Sequence, residues 1–378
     1  MITKEDRKIL RDLAKRVAEI AELPIMEERR NMWKQHNQLK RVRPMILVFP
    51  EGSWRELLPE SVLQCQGESA RQIEWELRRR TYQYENIHDD SVIEKKWTVH
   101  KVIKNTGWGL EPRRKPSSQN TGAWGFDPVI NDYNDLKKLR FPEVIYDEKE
   151  TIRRLEEAQD LFGDILDVQL KGISHISFHL MAIYCQLRGL EYIDLNLLSL
   201  NNDDTYHSSG GVGYTDELPK PDYNPNRIRP CDMWASAESQ EMAQVSPEKH
   251  YEFVMQYEKR LLEPFGLNGY GCCEDLTNKL DYVFTIPNLR RISISPWANV
   301  DKCAEKLSNK YIFSWKPNPS YLVGDFDSEA IREYIKHTLD VTKDCVIEII
   351  LKDTHTCENH PERFTWWTDI AQDLVKDY

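Results

Sequence analysis

The sequence predicts an α/β fold: a (β/α)₈ TIM barrel that carries N-terminal capping helices and a long insertion after the first strand. Two observations predict it. Eight short apolar runs recur along the chain, and amphipathic segments with helical spacing separate most of them. Strands that alternate with helices pair in parallel, and eight such units close a barrel. An open, doubly wound sheet is the alternative that the same alternation allows.

The first strand is predicted at Met45, where the run MILVFPE follows Arg43 and Pro44. A short, continuous apolar run is typical of a strand that is buried on both faces. The remaining runs have the same character and predict the other seven strands. These are 165–174, 193–201, 231–239, 266–273, 290–296, 310–317 and 345–352.

Amphipathic helices are predicted between most of these strands, and several of them begin at a capping residue. Ser246 precedes one helix and Asp327 precedes another. A Ser or Asp side chain at this position accepts a hydrogen bond from a free backbone N–H of the first turn. The predicted helices are 151–161, 179–187, 247–262, 276–285, 300–307, 328–342 and 361–376.

The chain divides into an N-terminal helical cap, residues 1–44, and a barrel, residues 45–378. The cap is predicted to contain two helices that are interrupted near Pro24. Residues 52–164 form the insertion, for which a helix and a β-hairpin at 92–102 are predicted. An insertion of this length at one end of a barrel is most simply explained as a lid over the barrel mouth.

Two motifs are interpreted as structural rather than functional. The segment SSGGVG (208–213) lacks the glycine spacing of a phosphate-binding loop, so a flexible loop is predicted there. His175 and His179 stand four residues apart, as zinc ligands on one helical face do, but no Glu lies between them. They are predicted to be a helix-start histidine and a packed one.

The net negative charge of the chain argues against two classes of binding partner. The chain has 378 residues, with 51 Lys and Arg against 62 Asp and Glu, and a formal net charge of −11. Nucleic acids and anionic membranes need clustered positive charge, so neither is expected as a partner. No apolar run approaches the roughly 20 residues that span a bilayer, and the N-terminal segment is charged and amphipathic rather than secretory. We therefore expect a cytoplasmic protein.

The candidate metal site lies at the carboxyl ends of the predicted strands, which meet at one mouth of a parallel barrel. Cys273 and Cys357 follow the fifth and eighth predicted strands. Two thiolates that meet there predict Zn²⁺, with His355 or Glu274 as a third ligand and an open position for a substrate heteroatom. The alternative is that both are ordinary reduced cysteines near the rim of the barrel.

Other polar residues at the strand ends are assigned roles around this metal. Glu238 and Glu51 are candidates for an acid, a base or an orienting group, and Lys316 for a cation that anchors an anionic part of the substrate. For any single carboxylate, a solvated rim residue is the alternative. Three further residues are predicted to contact the substrate: Trp297, Asn202 and Gln240.

Four segments resemble the uroporphyrinogen decarboxylase superfamily, whose fold is a (β/α)₈ barrel. The likeness covers most of residues 230–378. The segments are SPEKHYEFVMQYEKRLLEPFG (246–266), GYGCCEDL (269–276), IPNLRRISISPWANV (286–300) and DTHTCENHPERF (353–364).

Within that superfamily, the chain is similar to the zinc methyltransferases, which move a methyl group between a substrate heteroatom and a corrinoid protein. The haem-pathway decarboxylase has an Arg-rich N-terminal motif that finds no match around residues 41–54. The coenzyme M methyltransferases carry His-x-Cys and a later Cys. Here the match is Gly271-Cys272-Cys273 with Cys357, so the histidine is absent.

The resemblance implies Zn²⁺, a corrinoid (cobalamin) on a partner protein and a small-molecule methyl donor or acceptor. We therefore expect a corrinoid-dependent methyltransferase in which the metal activates the heteroatom. One alternative is a metal-free decarboxylase or lyase, whose mouth would hold basic groups that are scarce at the predicted strand ends. The other is a barrel that binds a small molecule without catalysis.

Overall fold

Seven parallel strands form the central sheet of the protein in a computed structural model of the chain. The structure describes residues 2–115, 125–127, 129–132, 134–182, 205–207, 209–376 and 378. The strands of this sheet are β1 (Met45–Val48), β2 (Ile176–Phe178), β3 (Trp234–Ala237), β4 (Leu267–Tyr270), β5 (Leu289–Ile294), β6 (Ile312–Trp315) and β7 (Val346–Leu351).

The order of the strands follows the chain around the sheet. It is β1-β7-β6-β5-β4-β3-β2, and every neighbouring pair is parallel. The first strand thus pairs with the last, with Met45 beside Glu348. This order is compatible with the predicted barrel, and it confirms a mixed α/β fold with a parallel sheet. Within the described residues β1 and β2 do not pair, so the closed barrel stays a prediction.

Gln83, Asp89 and Asp90, rather than a strand, satisfy the outer edge of β1. The Ile46 amide donates to Asp90 Oδ2 at 2.8 Å, and the Ile46 carbonyl accepts from the Asp90 amide at 2.8 Å. The Val48 amide donates to Asp89 Oδ2 at 2.9 Å, and its carbonyl accepts from Gln83 Nε2 at 3.0 Å. Edge groups that are buried need such partners. These contacts explain why β1 pairs on one side only in the described part of the chain.

The prediction of the second strand at 165–174 is wrong. Asp167–Lys171 is a strand, but it pairs in parallel with Lys96–His100 in a separate two-stranded sheet. Its Leu170 is 41% exposed, whereas the ends of β2, Ile176 and Phe178, are buried. The β-hairpin predicted at 92–102 is also wrong, because Lys96–His100 pairs with Asp167–Lys171 instead. The third predicted strand, 193–201, lies outside the described residues.

The helices agree more closely with the sequence. Val300–Leu307 has the predicted bounds, and the side chains of Ser246 and Asp327 cap their helices as expected. The two predicted N-terminal helices are confirmed, with Pro24 opening the second. The α-helices of the described residues are Lys4–Ala21, Pro24–Asn37, Trp54–Leu57, Glu68–Tyr82, Glu148–Phe162, Pro247–His250, Gln256–Leu262, Leu280–Val283, Val300–Leu307, Ser328–Val341 and Glu362–Val375.

Short antiparallel pairs complete the structure. In the insertion, Ile103–Asn105 pairs with Val144–Tyr146, and Arg113–Lys115 pairs with Gly125–Asp127. Between β2 and β3, Tyr206–His207 pairs with Gly210–Val212. We call this last pair, with the residues up to 214, the inner hairpin.

The two faces of the sheet differ in polarity. In β5, Ile292 and Ile294 belong to the main apolar core, whereas the alternate residues Arg291 and Ser293 lie on the opposite face. That opposite face continues across the sheet with small or polar side chains. Its buried members include Ser236, Ser314 and Glu348.

The inner hairpin covers this polar face. A Cβ at Gly210 would lie 1.8 Å from Ser314 Oγ, and a Cβ at Gly211 would lie 2.4 Å from Arg291 Nη2. Both residues also have a positive φ, of 128° and 51°, which glycine adopts without strain. The flexible loop predicted here is therefore wrong for the residues that the structure describes, because the glycines are needed for close approach to the sheet.

A buried ion pair stands at the centre of the polar face. Arg291 and Glu348 are both fully buried, with Nε 2.9 Å from Oε1, and Arg291 Nη2 donates a hydrogen bond to Glu348 Oε2 at 3.3 Å. His36 Nε2 lies 3.0 Å from Glu348 Oε2, and Arg291 Nη2 donates to Asn37 Oδ1 at 2.6 Å. Burial opposes ionisation of Glu348, but Arg291 and His36 outweigh it and hold its pKa at about 2.

Replacing Arg291 with Met should lower the free energy of unfolding by roughly 3–5 kcal/mol, because Glu348 would be left buried without its partner. Arg332→Met, which removes an exposed pair with Asp373, should cost at most about 1 kcal/mol. Urea denaturation measures both. The double variant Arg291→Met/Glu348→Leu should regain part of the loss. An Arg291 variant no less stable than the Arg332 variant would contradict this role.

Candidate functional site

Polar side chains gather at the edge of the sheet where the parallel strands end, which we call the carboxyl edge. Glu51 follows β1, Glu238 follows β3, and Cys272 and Cys273 follow β4. Lys352 and Asp353 follow β7. Ligands of parallel α/β folds bind at this edge, so these residues form the candidate site.

Four of these side chains form one contact group, the thiol cluster: Cys272, Cys273, Lys352 and Asp353. The two sulfurs are 3.5 Å apart. Lys352 Nζ lies 3.5 Å from Cys272 Sγ and 3.6 Å from Asp353 Oδ1. Cys273 Sγ lies 3.5 Å from Asp353 Oδ2. A thiol and a carboxylate thus each contact the same ammonium group.

The thiol cluster shows that the sheet is strongly curved at this edge. Its residues come from β4 and β7, which β5 and β6 separate. Neighbouring strands are about 4.8 Å apart, so a flat sheet would hold β4 and β7 roughly 14 Å apart. The short side chains of Cys273 and Asp353 meet at 3.5 Å nevertheless. The curvature brings distant strand ends together, as a barrel mouth would.

The two thiols have different proton affinities. A hydrogen bond from Cys273 and the charge of Lys352 lower the pKa of Cys272 to about 7, although burial opposes this. The same hydrogen bond raises the pKa of Cys273, and its burial acts in the same direction. Burial disfavours the charge on Lys352, but neighbouring acidic groups including Cys272 raise its pKa. Cys272 is therefore the thiol of the pair that ionises more readily.

His179 and Glu238 form a pair of side chains beside the thiol cluster. His179 Nδ1 is 2.5 Å from Glu238 Oε1, and the Gln240 amide donates to Glu238 Oε2 at 3.0 Å. Glu238 is buried, whereas His179 is partly exposed. The charge of Glu238 also acts on the Cys272 thiol. A histidine oriented by a buried carboxylate is a typical proton donor or acceptor.

Buried carboxylates hold the backbone behind the thiols. Glu274 accepts from the Cys272 amide at 2.8 Å and from the Ser239 amide at 3.3 Å, and burial raises its pKa. Glu258 accepts from Ser239 Oγ at 2.6 Å and from the Tyr270 hydroxyl at 2.9 Å, and burial raises its pKa to about 8. Glu274, a predicted metal ligand, thus supports the loop that carries Cys272.

The structure does not bring Cys357 into contact with Cys273. The Cys357 thiol is buried and donates to Glu56 Oε2 at 3.1 Å, and burial together with Glu56 raises its pKa to about 12. His355 is exposed, and its carbonyl accepts from Arg55 at 3.1 Å. In the described ranges, no three His, Cys, Asp or Glu side chains are grouped so as to hold a metal ion. The zinc site stays a prediction.

Lys316 makes hydrogen bonds in the interior of the protein. It is buried, and its ammonium group donates to the Ser209 carbonyl at 2.6 Å and to Ser314 Oγ at 2.8 Å. Burial lowers its pKa to about 7. These bonds fasten the inner hairpin to β6. A role in anchoring a substrate stays a prediction.

The remaining predicted residues are spread along the edge. Glu51 accepts from the Asp353 amide at 2.9 Å, and burial and then the charge of Asp353 raise its pKa. Trp297 is 71% exposed, and Gln240 is also exposed. Asn202 lies outside the described residues. Of this group, Glu51 alone has a described contact with the thiol cluster.

Sequence reasoning missed Lys352 and His179. Lys352 is the last residue of the final predicted strand. Its position at a strand end was therefore the signal that could have identified it. His179 follows β2 directly. The prediction that it opens a helix is confirmed, since helical residues begin at Leu180, but its place at the end of β2 was missed because the second strand was predicted at 165–174.

Comparison with known proteins adds nothing to this geometry: no protein-family model matches the chain, and no curated protein sequence matches it. Among the helices that the structure describes, none combines the length and the apolar character needed to cross a membrane.

Iodoacetamide should alkylate Cys272 at a rate that rises with pH around a midpoint near 7, because only the thiolate reacts. Lys352→Met should move this midpoint to higher pH, since the stabilising ammonium group is lost. Peptide mass spectrometry follows Cys272 separately from the other cysteines. Lys302→Met, an exposed lysine outside the site, is the control. A midpoint near 8.5 in the unmodified protein would contradict the assignment.

Proposed function

We propose that the protein is a methyltransferase that moves a methyl group between the heteroatom of a small molecule and a corrinoid carried by a partner protein. The observation that carries the proposal is the thiol cluster, in which Cys272 Sγ lies 3.5 Å from Lys352 Nζ, at the edge where such folds bind ligands. The resemblance to the zinc methyltransferases supports the same reaction class.

The Cys272 thiolate is the base in this proposal. An acceptor thiol, alcohol or amine gives up one proton in total when its heteroatom takes the methyl group. Cys272 Sγ accepts that proton, and Lys352 stabilises the thiolate beforehand. A base with a pKa near the working pH is the most effective. The corrinoid, when bound, supplies or accepts the methyl group.

His179 acts when the methyl group moves in the opposite direction. The heteroatom that loses its methyl group then gains a proton, and His179 is the donor beside the thiol cluster. Glu238 is a positioning residue, since its carboxylate orients the ring from 2.5 Å. The predicted Zn²⁺, when bound, would activate the heteroatom of the substrate.

The second candidate function is a metal-free decarboxylase or lyase. Lys352 favours it, since it places a cation at the edge where the sequence showed few basic groups. The two reactions differ in their products, because decarboxylation releases CO₂ and methyl transfer does not. A protein that binds a small molecule unchanged would do neither.

Cys272→Ser should lower methyl transfer from methylcobalamin to thiol, phenol and amine acceptors by about 100-fold or more, because the base is lost. Cys231→Ser is the matched control. Cys231 is a partly buried thiol in the turn Pro230–Asp232, at the opposite end of β3, so activity should be retained. The absorbance change of the corrinoid measures the rate. A Cys272 variant within threefold of the unmodified protein would contradict the proposal.

Elemental analysis tests the predicted zinc independently of turnover. The predicted pair requires about one zinc ion per chain, bound through both sulfurs, and loss of that ion in both Cys273→Ala and Cys357→Ala. Zinc retained in Cys357→Ala but lost in Cys273→Ala would remove Cys357 from the metal site. The buried contact of Cys357 with Glu56 makes this the discriminating variant.

A further inference from the structure

Two cysteines that follow each other in the chain hold their sulfur atoms in contact at the carboxyl edge. Cys272 Sγ and Cys273 Sγ are 3.5 Å apart, and both side chains are partly exposed. Successive side chains of a strand point to opposite faces of the sheet, so two neighbouring thiols inside β4 could not meet in this way. The contact therefore depends on the turn that follows β4.

Backbone contacts fix this turn. Gly271, directly after β4, has a positive φ of 92°, and a Cβ at this position would lie 2.7 Å from Leu276 Cδ1. The Cys272 amide donates to Glu274 Oε2 at 2.8 Å, and the Cys272 carbonyl accepts from Ser293 Oγ at 2.7 Å. These contacts hold the turn in the conformation that brings the two sulfurs together.

The other described cysteines have different surroundings. Cys231 is partly exposed, but it lies at the opposite end of β3. Four cysteines are buried, and each of their thiols has an oxygen partner. The partners are the Asp6 carbonyl for Cys65, the Thr277 hydroxyl for Cys303, the Ala304 carbonyl for Cys345 and the Glu56 carboxylate for Cys357. Cys272 and Cys273, by contrast, combine exposure with a neighbouring thiol.

The two thiols have neighbours of opposite charge. Lys352 Nζ lies 3.5 Å from Cys272 Sγ, and Asp353 Oδ2 lies 3.5 Å from Cys273 Sγ. An ammonium group favours a negative sulfur, which is the form that attacks a disulfide. A carboxylate favours a protonated thiol. Cys272 is therefore placed to attack first, and Cys273 to attack second, as the resolving thiol.

A disulfide between neighbouring residues is strained. Consecutive Cα atoms are about 3.8 Å apart, whereas disulfides usually join Cα atoms that are roughly 4.4–6.8 Å apart. Strained and exposed disulfides are easily reduced, and they are the ones that act as labile or regulatory bonds. A bond between Cys272 and Cys273 would therefore be reversible rather than structural.

We propose that Cys272 and Cys273 form a reversible modification site, at which a small-molecule disulfide such as oxidised glutathione converts the two thiols into a disulfide. The Cys272 thiolate attacks one sulfur of oxidised glutathione, which breaks the S–S bond and releases the first glutathione. Cys273 then attacks Cys272 Sγ and displaces the second glutathione, which takes the Cys273 proton. The protein loses two electrons, and oxidised glutathione gains them as two molecules of reduced glutathione.

The effect of this modification on catalysis rests on the proposed function. In that scheme Cys272 is the base, and a sulfur in a disulfide cannot accept a proton from the substrate. Oxidation should therefore lower methyl transfer at least tenfold, and reduction should restore it. The formation of the disulfide itself does not depend on the reaction that the protein catalyses.

Peptide mass spectrometry of the full chain tests the inference, because trypsin releases both thiols in one peptide, residues 261–279, that holds no other cysteine. After treatment with millimolar oxidised glutathione, this peptide should lose two hydrogen atoms. The internal disulfide should exceed the glutathione adduct at least tenfold, and dithiothreitol should reverse the change. Cys231, in the peptide 228–249, is the control thiol and should form only the glutathione adduct.

Two variants separate the steps of the reaction. Cys273→Ser should stop at the glutathione adduct of Cys272, because the resolving thiol is lost. Lys352→Met should slow the first attack at least threefold, because the ammonium group that favours the thiolate is lost. Lys302→Met, the exposed lysine outside the site, should leave the rate unchanged.

The inference is wrong if the peptide 261–279 stays reduced in the folded protein, or if it carries glutathione without forming the internal disulfide. A ratio of disulfide to adduct that is as high in urea-unfolded protein would mean that the turn does not promote the bond. Disulfide formation in a protein without methyltransferase activity would contradict the proposed function and leave this inference intact.

Discussion

The ion pair between Arg291 and Glu348 is the constraint on which the rest of the structure depends. Two charges at zero exposure are costly unless each has several partners, and here the partners come from distant parts of the chain. His36 and Asn37 reach the pair from the N-terminal helix Pro24–Asn37. The N-terminal helices are therefore joined to the centre of the sheet.

The ion pair also explains the inner hairpin. A sheet face that carries buried charges needs a polar cover that approaches closely. The glycines of the hairpin permit this close approach because they have no Cβ. The side-chain nitrogen of Asn37, Nδ2, donates to the backbone carbonyls of Val212 and Tyr214 at 2.9 Å and 2.7 Å. With the polar face covered, the polar groups at the carboxyl edge become the natural place for chemistry.

Local patterns predicted the parts of the fold that depend on local interactions. The helix Val300–Leu307 was predicted because its apolar spacing is recognised within a few residues. The second strand was not, since an alternating run at 167–171 suits an edge pair as well as a central strand. The sequence shows which runs are extended, but not which partner each one finds.

The site was predicted in part for the same reason. Strand ends identified Cys273 and Glu51, because parallel strands share one edge whatever their order. The pairing of Cys273 with Cys357 required knowledge of side-chain direction, and the structure gives Cys357 a different neighbour, Glu56, from a remote segment. Cys272 and Lys352 meet across two intervening strands, which no spacing in the sequence encodes.

Hydrogen–deuterium exchange of the inner hairpin, measured by mass spectrometry, tests the central claim most directly. If the ion pair locks the hairpin onto the sheet, the amides of Gly210–Val212 should exchange as slowly as those of Val346–Leu351, through global unfolding only. Exchange of the hairpin at the rate of an open loop, while β7 stays protected, would contradict the account.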